Sequence, residues 1–478
     1  MDRPPQHADS EARPAVGSSA LVAVLVAVAY TILAPDFLWG GDSVAFLRAI
    51  HEGETNRAAH FLYLPVVRLL ADMGALFGLD AFRCLRGASI LGTAAGIGLM
   101  HRAALLLGAS RGRAASIALM LATTPAVAFF GMIVEIPGVL MGASGLVFLA
   151  VACFLRGPTL WSAAVVGLAT GGASCLHSSA HLMPLTVSVF CLARGARPDR
   201  RWARFAVLCG LAHVSVIAVV ALATDLPVVQ SLRSSGSFVD TALQLGSPLG
   251  TTKSFLFHEW IIPYAPLSLV IFNALRHRGQ RMELAGLAFL AALYTAITWP
   301  LLAATWSTQL VEHGGYYITL AFPLAWLASS QYGASAGKWL WTGGAIMSAV
   351  MIWGESIKIT SELDADEVAL ALGTESATVL THSSEGLLDL SRRLPAMEAH
   401  RLDQVTGVTA RRDAIFRALD SLYLETKDRG EKLVLTATLR RELAEAAIPI
   451  GWYMEHNFDF EVVSAGSFLG YVLVSRAQ

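Results

Sequence analysis

Acids and histidines occur in this chain at positions where an apolar sequence does not place them without cause. Asp42 lies in GGDS (Gly40 to Ser43), a few residues past the first apolar run, and Glu135 lies in IVEIPG (Ile133 to Gly138), where two further runs meet. His177 and His181 share the stretch LHSSAHLMP, and His258 and Glu259 follow a polar segment that carries Arg233 and Lys253. Glu312 and His313 open EHGGYY, which ends in Tyr316 and Tyr317, and His60 falls between Asp42 and the second apolar run. A carboxylate such as Asp42 suits a general base that takes the proton of a hydroxyl as it attacks a phosphorylated sugar. Glu135, the second acid, could hold the acceptor, share a metal, or tune the first acid through like-charge proximity. His60, His177, Arg233, Lys253 and His258 are candidate partners of a departing phosphate, because charge develops there as the glycosyl bond breaks. A divalent metal ion held by Asp42, Glu135 and His258 is left open, since no tight ligand spacing specifies one. No other cofactor is implied.

These side chains need elements to position them, and composition says of which kind. Hydrophobic residues make up 55% of the 478, charged ones 15%, and mean hydropathy is +0.55, too apolar for a surface that faces water on every side. Apolar runs begin near Val16, Phe82, Ala114, Ile136, Leu160, Leu182, Phe205, Phe255, Leu284, Tyr316 and Trp339. At about 1.5 Å per residue each can cross a hydrocarbon core of about 30 Å, which predicts an α-helical polytopic membrane protein of about 11 spans. Because an array of further runs follows, the first is expected to be an uncleaved span and not a signal peptide.

Lysine and arginine in the short loops set the orientation. Arg111 and Arg113, Arg156, the arginines from Arg194 to Arg204, Arg276 to Arg281, and Lys338 all fall on the expected cytoplasmic side, and only the long first outer loop breaks the pattern. The organisation expected is a disordered cytoplasmic N-terminus (1–16), a transmembrane domain (17–357) with its first outer loop at 36–81, and an extracytoplasmic tail (358–478). Val44, Leu47 and Ile50 recur at helical spacing, which predicts a short helix along the interface in that loop. In the tail, Ala377 to His382, Lys432 to Thr438, Phe460 to Ser464 and Phe468 to Val474 read as strands. Glu385 to Leu394, Arg411 to Arg429 and Leu439 to Ala447 read as helices, giving a small α/β domain. The acids and histidines then gather on the extracytoplasmic side, around a polar cavity. Glu259 and Glu283 read as solvated flanks. A net charge of -1 gives no basic excess for nucleic acid. The five cysteines lie in or at apolar stretches with no CxxC, so no disulfide framework is indicated.

At these residues the chain resembles the GT-C superfamily of membrane glycosyltransferases, most of all its protein O-mannosyltransferase-like branch. The family places an acid just after its first span in a phrase like GDSGEF, and Gly41 to Phe46 reads GDSVAF here. Its HPPGYPLY phrase is matched by HFLY, His60 to Tyr63, without the double proline. Ala81-Phe82-Arg83 with the later Ser89, Glu135-Ile136-Pro137, and Gly167-Leu168-Ala169 followed by His177 stand where the family has AFR, EVYALN and GLA…H. The similarity runs over roughly 17 to 195; no second acid flanks Asp42 and no Val-Tyr follows Glu135.

The resemblance implies inverting transfer of a sugar from a polyprenyl-phosphate donor to a hydroxyl of an extracytoplasmic acceptor (a protein, lipid or glycan). Asp42 would be the base and Glu135 the second catalytic acid. Around the substrate it implies His60, Tyr63, His177, His181, Arg233, Lys253, His258, Glu312, His313 and Tyr316. Membrane lipid is the surrounding partner, with no nucleic acid, and the location implied is a bacterial cytoplasmic membrane. Two other readings remain open. A transporter or flippase would carry ionisable groups near the bilayer midplane on broken helices, often in two related halves, and apart from His213 the sequence shows neither. A non-catalytic envelope-assembly membrane protein would keep the elements without the chemistry.

Overall fold

The computed structural model describes residues 9–35, 42–51, 62–194, 200–223, 257–268, 285–295, 313–360, 365–373, 377–381, 398–401, 412–437, 439–440, 458–466 and 468–475. They fall into two compact units, Met1–Ala34 with Leu47–Ile352, and Pro35–Phe46 with Trp353–Gln478.

Helix α1 (Asp9–Leu33) opens the chain. It reaches into the segment expected to be disordered, and the apolar run from Val16 carries it on. Helices α2 (Asp42–His51) and α3 (Tyr63–Ala75) occupy the stretch read as the first outer loop. Within α2, Ser43, Phe46, Leu47 and Ala49 are buried. Then follow α4 (Ala81–Leu106), α5 (Arg111–Ala122), α6 (Pro125–Met132), α7 (Ile136–Arg156), α8 (Leu160–Leu176), α9 (Met183–Ala193), α10 (Arg200–Ala223), α11 (Ala285–Thr295) and α12 (Ala321–Thr360).

The frame of the first unit is α4 against α7. Each carries a glycine pair at GxxxG spacing, Gly92 with Gly96 and Gly138 with Gly142. A Cβ on Gly145 would stand 2.6 Å from the Gly96 carbonyl oxygen, and one on Gly92 would stand 2.9 Å from Val139 Cα. The two backbones therefore touch, which only small residues permit. Between α8 and α10 the same device recurs at Gly171, whose Cβ would lie 2.7 Å from the His213 carbonyl oxygen. On the outside, Leu21, Leu25 and Ile32 of α1 and Val207, Leu211 and Val214 of α10 are each more than half exposed. Helices with every backbone group bonded internally and apolar side chains turned outward are suited to lipid, not water. At one end, Arg113 and Arg194 lie over the Trp326 ring at 4.6 and 4.8 Å, bringing together two loops read as lying on the same side of the membrane.

Among the described residues, four helices are long and apolar enough to cross a membrane: Val16–Leu33, Ala81–Leu106, Ile136–Arg156 and Arg200–Ala223. Helices α5 and α6, bent by 64° at their break, make a fifth if taken as one span. This is fewer than the expected number, for three reasons. The runs at Leu160–Leu176 and Ser179–Ala193 form short helices, and those from Phe255 and Leu284 lie partly outside the described residues. The runs from Tyr316 and Trp339, read as two crossings turning at Lys338, lie instead on α12, since Ala334 to Lys338 (ASAGK) contains no proline to stop a helix.

The second unit is built on a five-stranded sheet in the order β2-β1-β3-β5-β4. Its strands are β1 (Ala377–Thr381), β2 (Glu398–Arg401), β3 (Lys432–Thr436), β4 (Phe458–Ala465) and β5 (Phe468–Ser475). β1 pairs in parallel with β2 and β3, while β3 and β4 flank β5 antiparallel. Every residue of β1 is buried, as a strand covered on both faces requires. On one face Ala377, Val379, Val434 and Val472 meet Val368 and Leu372 of α13 (Ala365–Leu372). On the other, Leu380, Leu433, Leu435 and Leu473 meet Leu419 and Leu422 of α14 (Arg412–Asp428). The expected helices at Glu385 to Leu394 and Leu439 to Ala447 lie outside the described residues, apart from Leu439 and Arg440.

Candidate active site

Glu135 occupies the link between α6 and α7 and is 5% exposed. It is the N-cap of α7, its Oε2 accepting the Ile136 amide at 3.2 Å, and Pro137 fits the first turn because its missing N–H has no helical partner to lose. Ser89 of α4 holds the same residue by its backbone, donating Oγ–H to the Glu135 carbonyl at 3.1 Å and accepting its amide at 3.4 Å. One turn on, Thr93 donates to the Gly138 carbonyl at 3.1 Å. The acid is thus anchored through the α4–α7 contact.

Beside this link runs the strip His313 to Leu320. His313 has a positive φ of 46° and Gly314 of 77°, a reversal that glycine adopts at least cost. The His313 ring meets Phe129 edge-on at 5.1 Å. A Cβ on Gly315 would stand 2.9 Å from Phe130 and 3.1 Å from Pro137, so the strip passes close against α6 and the start of α7. From its far side Glu259, 0% exposed, accepts the Gly314 amide at 2.9 Å, and Tyr264 donates its hydroxyl to the Gly314 carbonyl at 2.7 Å. The Ala126 amide donates to the Pro263 carbonyl at 2.8 Å and ties this segment to α6.

His177 ends α8 and starts the 3-10 turn Ser178–Leu182. Its Nδ1 accepts the Ser179 amide at 3.1 Å, which leaves Nε2 as the N–H of the neutral ring. Its ring packs edge-on to Tyr316 at 5.3 Å. The Leu62 amide bonds the Cys175 carbonyl at 2.9 Å, fixing the start of α3 and the fully buried Tyr63 to the end of α8.

Among solved structures, the oligosaccharyltransferase of Archaeoglobus fulgidus in complex with zinc and sulfate superposes with a TM-score of 0.53 at 11% identity, over 95% of this chain and 72% of that one. The chain shares the fold of that oligosaccharyltransferase. ArnT from Cupriavidus metallidurans, bound to undecaprenyl phosphate, gives a TM-score of 0.47 at 15% identity over 97% of this chain and 98% of that chain. The arabinofuranosyltransferase AftD from mycobacteria gives 0.46 at 16% identity, over 98% and 40%. No protein-family model and no curated protein sequence matches the chain.

On this frame the candidate residues distribute as follows. Glu135, His177, His313 and Tyr316 come together around the strip, with His258 half-buried in the turn Phe257–Ile261 and Tyr63 at the foot of α3. His181 is exposed and turns to α10, its ring 6.5 Å from that of His213. Asp42 opens α2. His60, Arg233, Lys253 and Glu312 lie outside the described residues. Among the described residues no three of His, Cys, Asp and Glu are grouped as a metal site.

Sequence reading missed Glu259. Taken as a solvated flank, it is buried with its carboxylate on a backbone amide. A signal was present: Phe255 to Phe257 precede it and Trp260 to Ile262 follow, an acid among apolar neighbours on both sides. Trp260 itself stacks at 4.1 Å on Tyr317, and Tyr294 reaches the Thr319 hydroxyl at 2.8 Å. The GGYY segment is thereby held by aromatic groups as well as by the acid.

Proposed function

We propose that the chain transfers a sugar from a polyprenyl-phosphate-linked donor to an extracytoplasmic hydroxyl acceptor, with inversion at the anomeric carbon. The observation that carries this reading is a buried acid, Glu135, in the α6–α7 link against which the strip bearing His313 and Tyr316 packs, with His177 against Tyr316. Asp42 is the general base: its carboxylate takes the acceptor proton as the hydroxyl oxygen bonds to the anomeric carbon. The bond from that carbon to the phosphate oxygen breaks, and polyprenyl phosphate leaves with the charge. Histidines such as His177 and His258, with His60, Arg233 and Lys253, are the groups to stabilise that charge. Glu135 and Tyr316 orient the sugar or acceptor hydroxyls.

The location that fits this chemistry is a bacterial cytoplasmic membrane, with the tail from 358 on the extracytoplasmic side. In proteoliposomes carrying a polyprenyl-phosphate sugar, the wild-type chain should consume the donor and release polyprenyl phosphate, and Asp42→Asn should not. Equal turnover by the two removes Asp42 as base. An inert wild type over the common polyprenyl-phosphate sugars, with no lipid-linked sugar accumulating in a deletion strain, removes the reaction.

A further inference from the structure

Helix α7 runs from Glu135 to a second feature at its other end, about 28 Å away along the axis at 1.5 Å per residue. There α7, α8, α9 and α10 enclose a groove of about 420 Å³, walled by Val166, Cys191 and Cys209 and floored by Phe154, Trp202 and Phe205. The volume is in the range of binding pockets, roughly 300–1,000 Å³. The floor rings meet edge to face, Phe154 at 5.2 Å from both Trp202 and Phe205. The hydroxyl of Ser188, on the wall, is turned to the Pro184 carbonyl at 2.8 Å, so this wall offers hydrocarbon to an occupant.

An arginine stands at the mouth. The guanidinium of Arg201 lies over the Phe205 ring at 5.5 Å and donates to the Pro158 carbonyl at 3.1 Å. Arg200 and Arg204, both exposed, neighbour it on α10. An apolar slot between membrane helices with an arginine at its lip matches a molecule that is hydrocarbon along its length and anionic at one end.

We propose that this groove holds one anionic phospholipid of the leaflet opposite the candidate active site, acyl chain over the aromatic floor and phosphate at Arg201. The inference does not rest on the transferase reading.

Native mass spectrometry of the detergent-purified full chain, titrated with phosphatidylglycerol and phosphatidylcholine of identical acyl chains, tests it. One phosphatidylglycerol should bind in preference, by about fivefold for each arginine engaged. Arg201→Ala should reduce that preference, and Ala206→Trp, which fills the groove from an exposed position, should reduce binding of both lipids. Should Arg201→Ala fail to fold, Ala206→Trp with a wild-type melting temperature decides alone. Equal binding of the two lipids by the wild-type chain overturns the proposal, as does wild-type binding by Ala206→Trp. Displacement by excess glycerol phosphate would show a headgroup site without a lipid groove. A dimer that neither lipid disperses would show the groove to be covered by a second copy.

Discussion

The Glu259 carboxylate accepts the amide hydrogen of Gly314 at 2.9 Å, while Tyr264 donates to the carbonyl of the same glycine at 2.7 Å. One residue is gripped by both of its backbone groups, and His313 and Tyr316 on either side take their places from it. A buried amide that loses its acceptor costs about 1–3 kcal/mol. Glu259→Leu should therefore lower the unfolding temperature in detergent by several degrees, and Glu259→Gln, which keeps an acceptor oxygen, should recover most of the loss. Equal losses in the two would mean that the bond to Gly314 is not what Glu259 contributes.

Gly314 and Gly78 both have positive φ, 77° and 72°, but only Gly314 is crowded, with Pro263 and Tyr264 each 2.8 Å from where a Cβ would stand. Alanine at Gly78 meets only the backbone penalty, about 1–2 kcal/mol. At Gly314 an overpacking cost of about 1–3 kcal/mol adds to it. Thermal melts of Gly78→Ala and Gly314→Ala should differ in that direction, and a reversed order would contradict the packing of the strip.

Helix contact gives a second stability test. Gly96 and Gly87 lie on the same helix, yet a Cβ at Gly96 runs into the Met141 and Gly142 backbone while one at Gly87 meets nothing within 4 Å. Gly87→Ala should stabilise slightly through helix propensity, by up to about 1 kcal/mol. Gly96→Ala should destabilise by about 1–3 kcal/mol, read as loss of folded protein after heating.

For Glu135, capping and chemistry separate by substitution. Gln retains an oxygen for the Ile136 amide, so Glu135→Gln should fold and melt close to the wild type. If the carboxylate takes part in transfer, the same variant should lose about 10²-fold or more in turnover of a polyprenyl-phosphate sugar. Turnover at the wild-type rate would leave Glu135 as a helix cap alone.

Sidedness is read directly from labelling. Glu461 is exposed on β4, and the five native cysteines all precede it in the membrane unit. In intact cells, Glu461→Cys should react with an impermeant maleimide beyond the wild-type background. Protection until the cells are opened would place the sheet on the cytoplasmic side.

Much of this architecture could be read from local sequence. The apolar runs at Phe82 and Ile136 become α4 and α7, Glu-Ile-Pro marks the helix start that buries Glu135, and the spacing of Val44, Leu47 and Ile50 gives α2. What escaped was non-local. Glu259 meets a glycine 55 positions away, and nothing in the neighbourhood of either residue encodes that meeting. Apolar length also says where a helix is permitted, not where it stops, so Lys338 was read as a turn inside what is one helix. The strand Glu398–Arg401, four residues reading EAHR, joins the sheet through its pairing with β1, and its sequence shows no hydrophobic alternation to announce it.

The backbone-to-backbone seam of α4 and α7 has a consequence for how anything bulky could enter. Where Gly92, Gly96 and Gly145 meet, backbone lies on backbone with no rotamer to rearrange, and the short side chains of Ser89 and Thr93 are hydrogen-bonded across the seam, so the wall bearing Glu135 is the stiff one. Across from it, the segment around Gly314 hangs on individual side-chain tethers from Glu259 and Tyr264, each of which can be released and remade. Widening at this end of the molecule falls to that tethered wall, and variants that loosen it should alter entry and exit before they alter the acid.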